Sequence, residues 1–361
     1  MIIFMIGFYN YGVSGSSLSF FQLFNRLKDN NYDVRLINAS RYRSSSFFWD
    51  FILSILKAVS ILMQLLYVRL LCRSSVHLSF QASSRGHLYF SPLLYWTSRI
   101  LGFKFSLRIF GGNYVIDLKS TKLLKYFSIF SFVRDPSVIV YLQTYSQITL
   151  FKSLNHLCKV IHLPTSRTIS CHKFNPSPYL DSFTSLLRIV YCGRVTRSKG
   201  VYTAIEGLGD LPNVTLDIWG SYVSLDEEKE YNMLASQYSN VVFRGVYPPN
   251  TSVEIIKNYD CLILPTSYPG EGYPGVVVEA YIAGRPVLVP NNSPLNEIVT
   301  NKTGLLLDTI SSDSIKRSVE LLFDRQTLRS LQENAWQARL QFDSNMCDQI
   351  FINPIINPEN V

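Results

Sequence analysis

Two carboxylates, Glu271 and Glu279, stand eight positions apart in PTSYPGEGYPGVVVEAYIAGRPVLVP (265–290). Two cations, Arg194 and Lys199, lie upstream in YCGRVTRSKG (191–200). Carboxylates accept hydrogen bonds from paired hydroxyls, such as those of a sugar or a ribose. Arginine grips phosphate with two parallel N–H groups, and lysine adds a point charge. A ligand built as sugar, diphosphate and ribose would use all four. By itself the cation pair reads equally well as a solvated basic loop, and the two glutamates, taken singly, read more readily as a loop charge and an exposed helix charge, so the chemistry rests on their conjunction.

That conjunction needs strands to deliver the loops. YDCLILPT (259–266) reads as a strand that ends just before Glu271. PGEGYPG then makes a loop whose glycines let backbone approach a ligand. Pro274 and Gly275 open a helix over GVVVEAYIAG, with a stop at Gly284 and Pro286. LRIVYCG (187–193) delivers Gly193, and Gly200 precedes a second helix, VYTAIEGL. Free N–H groups and the helix dipole both favour an anion there.

Further strand candidates are VTLDIWG (214–220), VVFRGV (241–246), RPVLVP (285–290) and TGLLLD (303–308). Ser311 and Ser312 are placed to cap the helix DSIKRSVELLFD. The first half offers IIFMIGF (2–8), YDVRLIN (32–38), SVHLSF (75–80), FKFSLRIF (103–110) and SVIVYLQT (137–144), with a helix over LSFFQLFNRLKDN. Strands alternating with helices predict parallel sheets built from right-handed βαβ units. In such sheets ligands bind beyond the carboxyl ends of the strands. The expected class is α/β, with two Rossmann-like, doubly wound domains facing across a cleft. The expected boundaries are 1–165, a linker over 166–187, a second domain over 188–335, and a C-terminal helix and tail over 336–361 packing back on the first domain.

GRVTRSKG followed by EGYPGVVVEAYIAGRPVLV resembles the retaining glycosyltransferases of family 4, which have the GT-B fold. Their hallmark is Glu-x7-Glu, here Glu271 to Glu279. NNSPLNEIV and NKTGLLL resemble the strand and loop that follow. The likeness covers most of 187–335. It implies that Gly193, Arg194 and Lys199 bind the donor diphosphate, that Glu271 contacts the transferred sugar, and that Glu279 contacts the ribose. It implies backbone contacts from Gly272, Tyr273, Pro274, Gly275 and Val276. NYGVSGSS (10–17) resembles the family's glycine-rich loop, with Gly12 and Gly15 approaching the donor. Many relatives carry a histidine after a first-domain strand. Here Gly111, Gly112 and Asn113 occupy that place, with Arg108 as another polar group on the acceptor side. The expected activity is transfer of a sugar from a nucleotide diphosphate to an acceptor hydroxyl with retention, catalysed by Arg194, Lys199 and Glu271. The acceptor is expected to be a lipid-linked or surface glycan. The alternative is a non-catalytic nucleotide-sugar scaffold or sensor of the same fold.

Composition bounds these readings. With 361 residues, 47% hydrophobic and 17% charged, the chain has material for two cores. Residues 1–185 carry 20 Lys+Arg against 6 Asp and no Glu, so the first half is strongly basic. That favours an anionic partner, such as a membrane surface. No nucleic-acid motif accompanies the charge. Six scattered cysteines form no CxxC, and five histidines form no HExxH. The expectation is no disulfide, no protein-bound metal and no cofactor beyond the donor, in the cytoplasm at the inner face of the membrane. MIIFMIGFYNYG reads as a buried strand rather than a signal peptide. NYGVSGSS offers only GxxG, which argues against a dinucleotide oxidoreductase.

FFWDFILSILKAVSILMQLLYVRLLCR (47–73) is unusually apolar. Asp50, Ser54, Lys57, Ser60, Gln64 and Tyr67 form one narrow polar stripe at helical spacing. Three readings stay open: a helix buried in the domain, one lying in a membrane interface, or one spanning a bilayer.

Overall fold

The computed structural model describes residues 1–8, 15–40, 47–83, 86–120, 132–169, 173–181, 185–248, 250–291 and 294–360. The chain divides into two compact units, residues 1–164 with 345–361, and residues 165–344.

Unit 1 is a six-stranded parallel sheet of β1 (Ile2–Gly7), β2 (Val34–Asn38), β3 (Val76–Ser83), β4 (Lys104–Phe110), β5 (Ile139–Leu142) and β6 (Lys159–His162), in the order β2-β1-β3-β4-β5-β6. Side chains alternate faces along a strand. On β1, Ile2, Phe4 and Ile6 enter one core while Ile3 and Met5 enter another. The first core is covered by α2 (Phe47–Leu71), α3 (Gly86–Leu101) and α4 (Tyr114–Ser120). The second is covered by α1 (Gly15–Asp29) and the C-terminal helix Ser344–Ile356. Phe351, Ile352 and Ile355 fill that face. Arg26 donates to both carboxylate oxygens of Asp348 at 2.7 and 2.8 Å, and the Tyr141 hydroxyl donates to the Phe351 carbonyl at 2.6 Å.

The strands fall where alternation placed them, apart from β6. KVIH is four residues long and only half-buried, too short to display a period. The spanning reading of 47–73 is overturned by topology. β2 enters α2 and β3 leaves it, and both strands flank β1 in one sheet. A helix that begins and ends on the same sheet cannot put its ends on opposite sides of a bilayer. The buried reading fails too. Among the described side chains of α2 only Ile61 and Leu65 are buried, and the polar stripe is split, with Ser54 and Lys57 half-buried against the domain while Gln64 and Tyr67 face out.

Unit 2 is a second six-stranded parallel sheet of β7 (Leu187–Cys192), β8 (Val214–Trp219), β9 (Val241–Gly245), β10 (Cys261–Ile263), β11 (Val287–Pro290) and β12 (Gly304–Leu307). Its order is β12-β11-β10-β7-β8-β9. The chain winds outward from β7 through β8 and β9, then returns beside β7 at β10 and winds the other way. The ends of β7 and β10 therefore border the topological switch point, where open α/β sheets bind ligands. Ser311 caps Ser312–Glu320 by accepting from the Ser314 N–H at 3.3 Å.

Candidate functional site

The loops after β7 and β10 meet at the switch point. The Tyr191 hydroxyl donates to the Arg194 carbonyl at 2.6 Å, holding the chain as it leaves the strand. A 3-10 turn follows at Arg197–Lys199, and Gly200 then starts the helix Val201–Leu208 with φ of +76°. Only glycine suits this position. A Cβ there would lie 2.0 Å from the Pro265 carbonyl oxygen. This close approach ties the loops together: the Ser267 N–H donates to the Ser198 carbonyl at 2.9 Å, and the Thr266 hydroxyl does so at 3.2 Å.

Glu271 and Glu279 are both buried, each against its own cation. Lys199 Nζ stands 2.5 Å from Glu271 Oε2, and the Thr266 hydroxyl donates to the same oxygen at 3.0 Å. Arg167 Nε donates to Glu279 Oε1 at 2.7 Å. A buried carboxylate is costly unless it is paired and hydrogen-bonded, and each of these has a cation and a hydrogen bond. Burial, then Glu271, push the Tyr191 phenol well above its ordinary value. Burial, then Glu279, do the same to Tyr247.

Glycine at 275 has a local cause. A Cβ there would lie 1.9 Å from Arg167 Nη2 and 3.4 Å from Glu279 Oε1. The guanidinium thus lies against the first residue of the helix Gly275–Ile282. Pro274 stands at that helix's N-cap with φ −65° and ψ 137°, and no side chain caps the end. The first-turn amides and the dipole make the end favourable to an anion. Gly272 and Tyr273 are buried beside Glu271. Arg194 is exposed, with its guanidinium 5.8 Å from the centre of the Tyr268 ring, and Lys199 Nζ lies 4.8 Å from the same ring. Among the described residues, no three His, Cys, Asp or Glu side chains gather as a metal site.

The structure therefore brings Gly193, Arg194, Lys199, Glu271, Gly272, Tyr273, Pro274, Gly275, Val276 and Glu279 to one switch point. It adds residues the sequence did not single out. Arg167 lay in a polar stretch read as linker. Thr165 donates to the Tyr273 carbonyl at 2.6 Å, and the Tyr273 hydroxyl donates to Glu297 at 2.6 Å. Only tertiary structure brings such distant partners together.

In unit 1, Gly12 lies outside the described residues, and Gly15 is the first residue of α1. Arg108 is buried on β4, 4.7 Å over the Phe110 ring, and burial pushes it down to about 10. It is a packed strand residue and not an open polar group. Gly111 has φ of +88°; its N–H donates to Gln143 at 3.1 Å and its carbonyl accepts from Gln147 at 2.7 Å. Gly112 and Asn113 follow, half-buried, before α4.

Residues 181–338 match the family model of the glycosyl transferases group 1. The chain is a glycosyltransferase enzyme. Solved structures agree with this fold over the whole length of the transferase. Sucrose-phosphate synthase from Thermosynechococcus elongatus superposes with a TM-score of 0.76 at 13% identity, covering 100% of both chains. HepE from Anabaena, in complex with UDP and glucose, gives 0.73 at 14% identity, covering 99% of this chain and 100% of that one. WaaG, a glycosyltransferase involved in lipopolysaccharide biosynthesis, gives 0.68 at 16%, with 99% and 100% covered. No curated protein matches the transferase by sequence. The fold shared with these structures is GT-B.

Proposed function

We propose that the switch-point site of unit 2 binds a nucleotide diphosphate sugar, and that the enzyme passes the sugar to an acceptor hydroxyl with retention of configuration. One observation carries this reading: two buried carboxylates, two cations and a helix N-terminus converge where β7 and β10 end. HepE, of the same fold, is described in complex with UDP-glucose.

Both protein partners of Glu271 bond Oε2, so Oε1 is the oxygen for sugar hydroxyls. Glu279, fixed by Arg167, takes the ribose. Arg194, Lys199 and the first amides of Gly275–Ile282 take the diphosphate. As the bond from the sugar's anomeric carbon to phosphate breaks, its electron pair stays on the phosphate oxygen. The cations and the helix end are already aimed at that charge, and such preorganisation is usually the largest catalytic term. The acceptor oxygen bonds the anomeric carbon from the face the diphosphate leaves, and its proton passes to a phosphate oxygen. Arg194, Lys199 and the helix end supply the charge neutralisation, without a metal. The acceptor is a lipid-carried or surface glycan, a reading supported by the likeness to WaaG and by the apolar helix α2.

The test is a panel of nucleotide sugars screened by thermal shift, followed by turnover assays on the donor that binds. A bound donor raises the melting temperature by mass action. The expected result is stabilisation by one donor, lost in Glu279→Ala, with transfer lost in Glu271→Ala while the fold is kept. Sugar transfer that persists in Glu271→Ala would remove the assigned contact.

A further inference from the structure

Helix α2 is built with its apolar side outward. The seam that packs on the sheet is Ser54, Ala58, Ile61, Leu65 and Val68, at steps of three and four. The rest of the helix faces solvent, with Trp49 56%, Phe51 58%, Leu56 59%, Met63 61% and Leu70 83% exposed. Its mean hydropathy reaches 2.1 within Phe48–Leu71, and little of that stretch is buried. Helix α3 packs against it across an apolar hollow lined by Lys57, Ile61, Phe90 and Leu93. From Leu93 a second outward stripe runs through Trp96, 51% exposed, to Ile100, 82% exposed. A soluble surface does not leave an apolar area of this extent open without a partner.

Charge identifies the partner. Unit 1 holds 18 Lys+Arg against 7 Asp+Glu, a net +11, while unit 2 is −3 on 16 against 19. Arg69 lies in the last turn of α2, Arg73 just beyond it, and Arg99 in the last turn of α3, 3.7 Å from Asp135. Two of the chain's four tryptophans, Trp49 and Trp96, sit on the outward faces. Tryptophan favours the headgroup level, where one end of the ring is apolar and the other wet. Apolar face, basic ends and interfacial aromatics together fit an anionic leaflet, and like-charged +11 surfaces fit one another poorly.

We propose that unit 1 docks on an anionic membrane through α2 and α3, with α2 lying in the plane of the interface. α2 is about 37 Å long at roughly 1.5 Å per residue, so it meets the leaflet along its length. The docking rests on no part of the donor reading. It agrees with a lipid-carried acceptor, because it would hold the enzyme where such a hydroxyl lies.

The test is flotation of the full chain with vesicles of phosphatidylcholine alone, and of equal parts phosphatidylcholine and phosphatidylglycerol. The wild type floats with the anionic vesicles and far less with the neutral ones. Brominated acyl chains quench part of its tryptophan fluorescence. Leu70→Glu with Ile100→Glu lowers partitioning by about tenfold or more, since each removes an aliphatic side chain that docking would bury. Arg69→Glu weakens it by roughly fivefold or more and abolishes less at high salt. Circular dichroism and the melting temperature of each variant report that it is folded, whether or not the donor reading holds. Equal flotation on both vesicles, or no flotation together with a dimer that Leu70→Glu dissociates, overturns the proposal.

Discussion

In unit 2, two glutamates lie buried at the switch point against cations, whereas in unit 1 the long helix α2 carries Trp49, Phe51 and Leu70 into solvent. Both units are six-stranded parallel sheets with a switch point, at β1/β3 in one and β7/β10 in the other. The shared scaffold thus solves two different problems. A buried charge has to be paired or hydrogen-bonded, and a broad exposed apolar face is rare on a protein surface that meets only water. The inversion also holds inside the sheets. Unit 1 buries a strand cluster of His77, Ser79, Ser106 and Arg108, away from its exposed helix faces.

The comparison breaks first at Arg167. Arg167→Ala leaves Glu279 buried without its cation. Removing one member of such a pair typically costs about 3–5 kcal/mol. Denaturant unfolding is expected to show a loss of that order, partly recovered by adding Glu279→Gln. A loss within the experimental error would mean that Glu279 does not depend on the pair.

Acid gives the next largest effect, in the other unit. His77 Nε2 lies 2.8 Å from Ser106 Oγ, which donates on to Ser79 at 3.0 Å, so Nε2 carries the proton. Nδ1 is buried with no partner among the described residues. Burial first, then Lys104, hold His77 down to about 3 from 6.5. The unfolded chain takes the proton first. The stability is therefore fully present above 6.5 and drains away as pH falls towards about 3. Between pH 7 and 4 that amounts to roughly 3 kcal/mol. Urea unfolding of His77→Gln should show a shallower acid limb than the wild type. Parallel limbs would remove His77 as the cause.

Legibility follows the same division. Glu271, Glu279, Arg194 and Lys199 could be read from sequence because they sit in short loops whose flanking strands show clear patterns. Glycines at 193, 200, 272 and 275 marked the close approaches, and at 200 and 275 the structure names the atoms that forbid a Cβ. Arg167 was hidden because its partner is 112 residues away and its own stretch has no period. The polar stripe on α2 was visible, but its direction was not. Periodicity fixes which residues share a face and leaves open which face meets the sheet. Ser54 and Lys57 turned inward because small and flexible side chains let Ile61 and Leu65 reach the core. Arg108 looked like a polar contributor at a strand end, and only burial shows it to be packed.

Arg194 sharpens the contrast between a group that holds the fold and one that acts on the ligand. It is exposed, so Arg194→Ala should leave the melting temperature unchanged while lowering turnover about 10²-fold, near 2.7 kcal/mol. Lys199→Ala should lower both, because its loss strands Glu271. Steady-state kinetics beside calorimetry separates the two. Equal melting losses in both variants would show that Arg194 is structural.

The smallest effect tests unit 1 along a single helix. Leu65 is 0% exposed and Leu70 is 83% exposed, little more than one turn apart on α2. Leu65→Ala removes packed methyl groups and should cost about 2–5 kcal/mol. Leu70→Glu touches nothing in the folded chain and should stay within about 0.5 kcal/mol in vesicle-free buffer. A leucine that contributes nothing to the fold and sits on a face of tryptophan, phenylalanine and methionine has no intramolecular reason for its chemistry. If Leu70→Glu instead destabilises the free enzyme by as much as Leu65→Ala, the outward face is covered by the protein itself, and the contrast between the two units disappears.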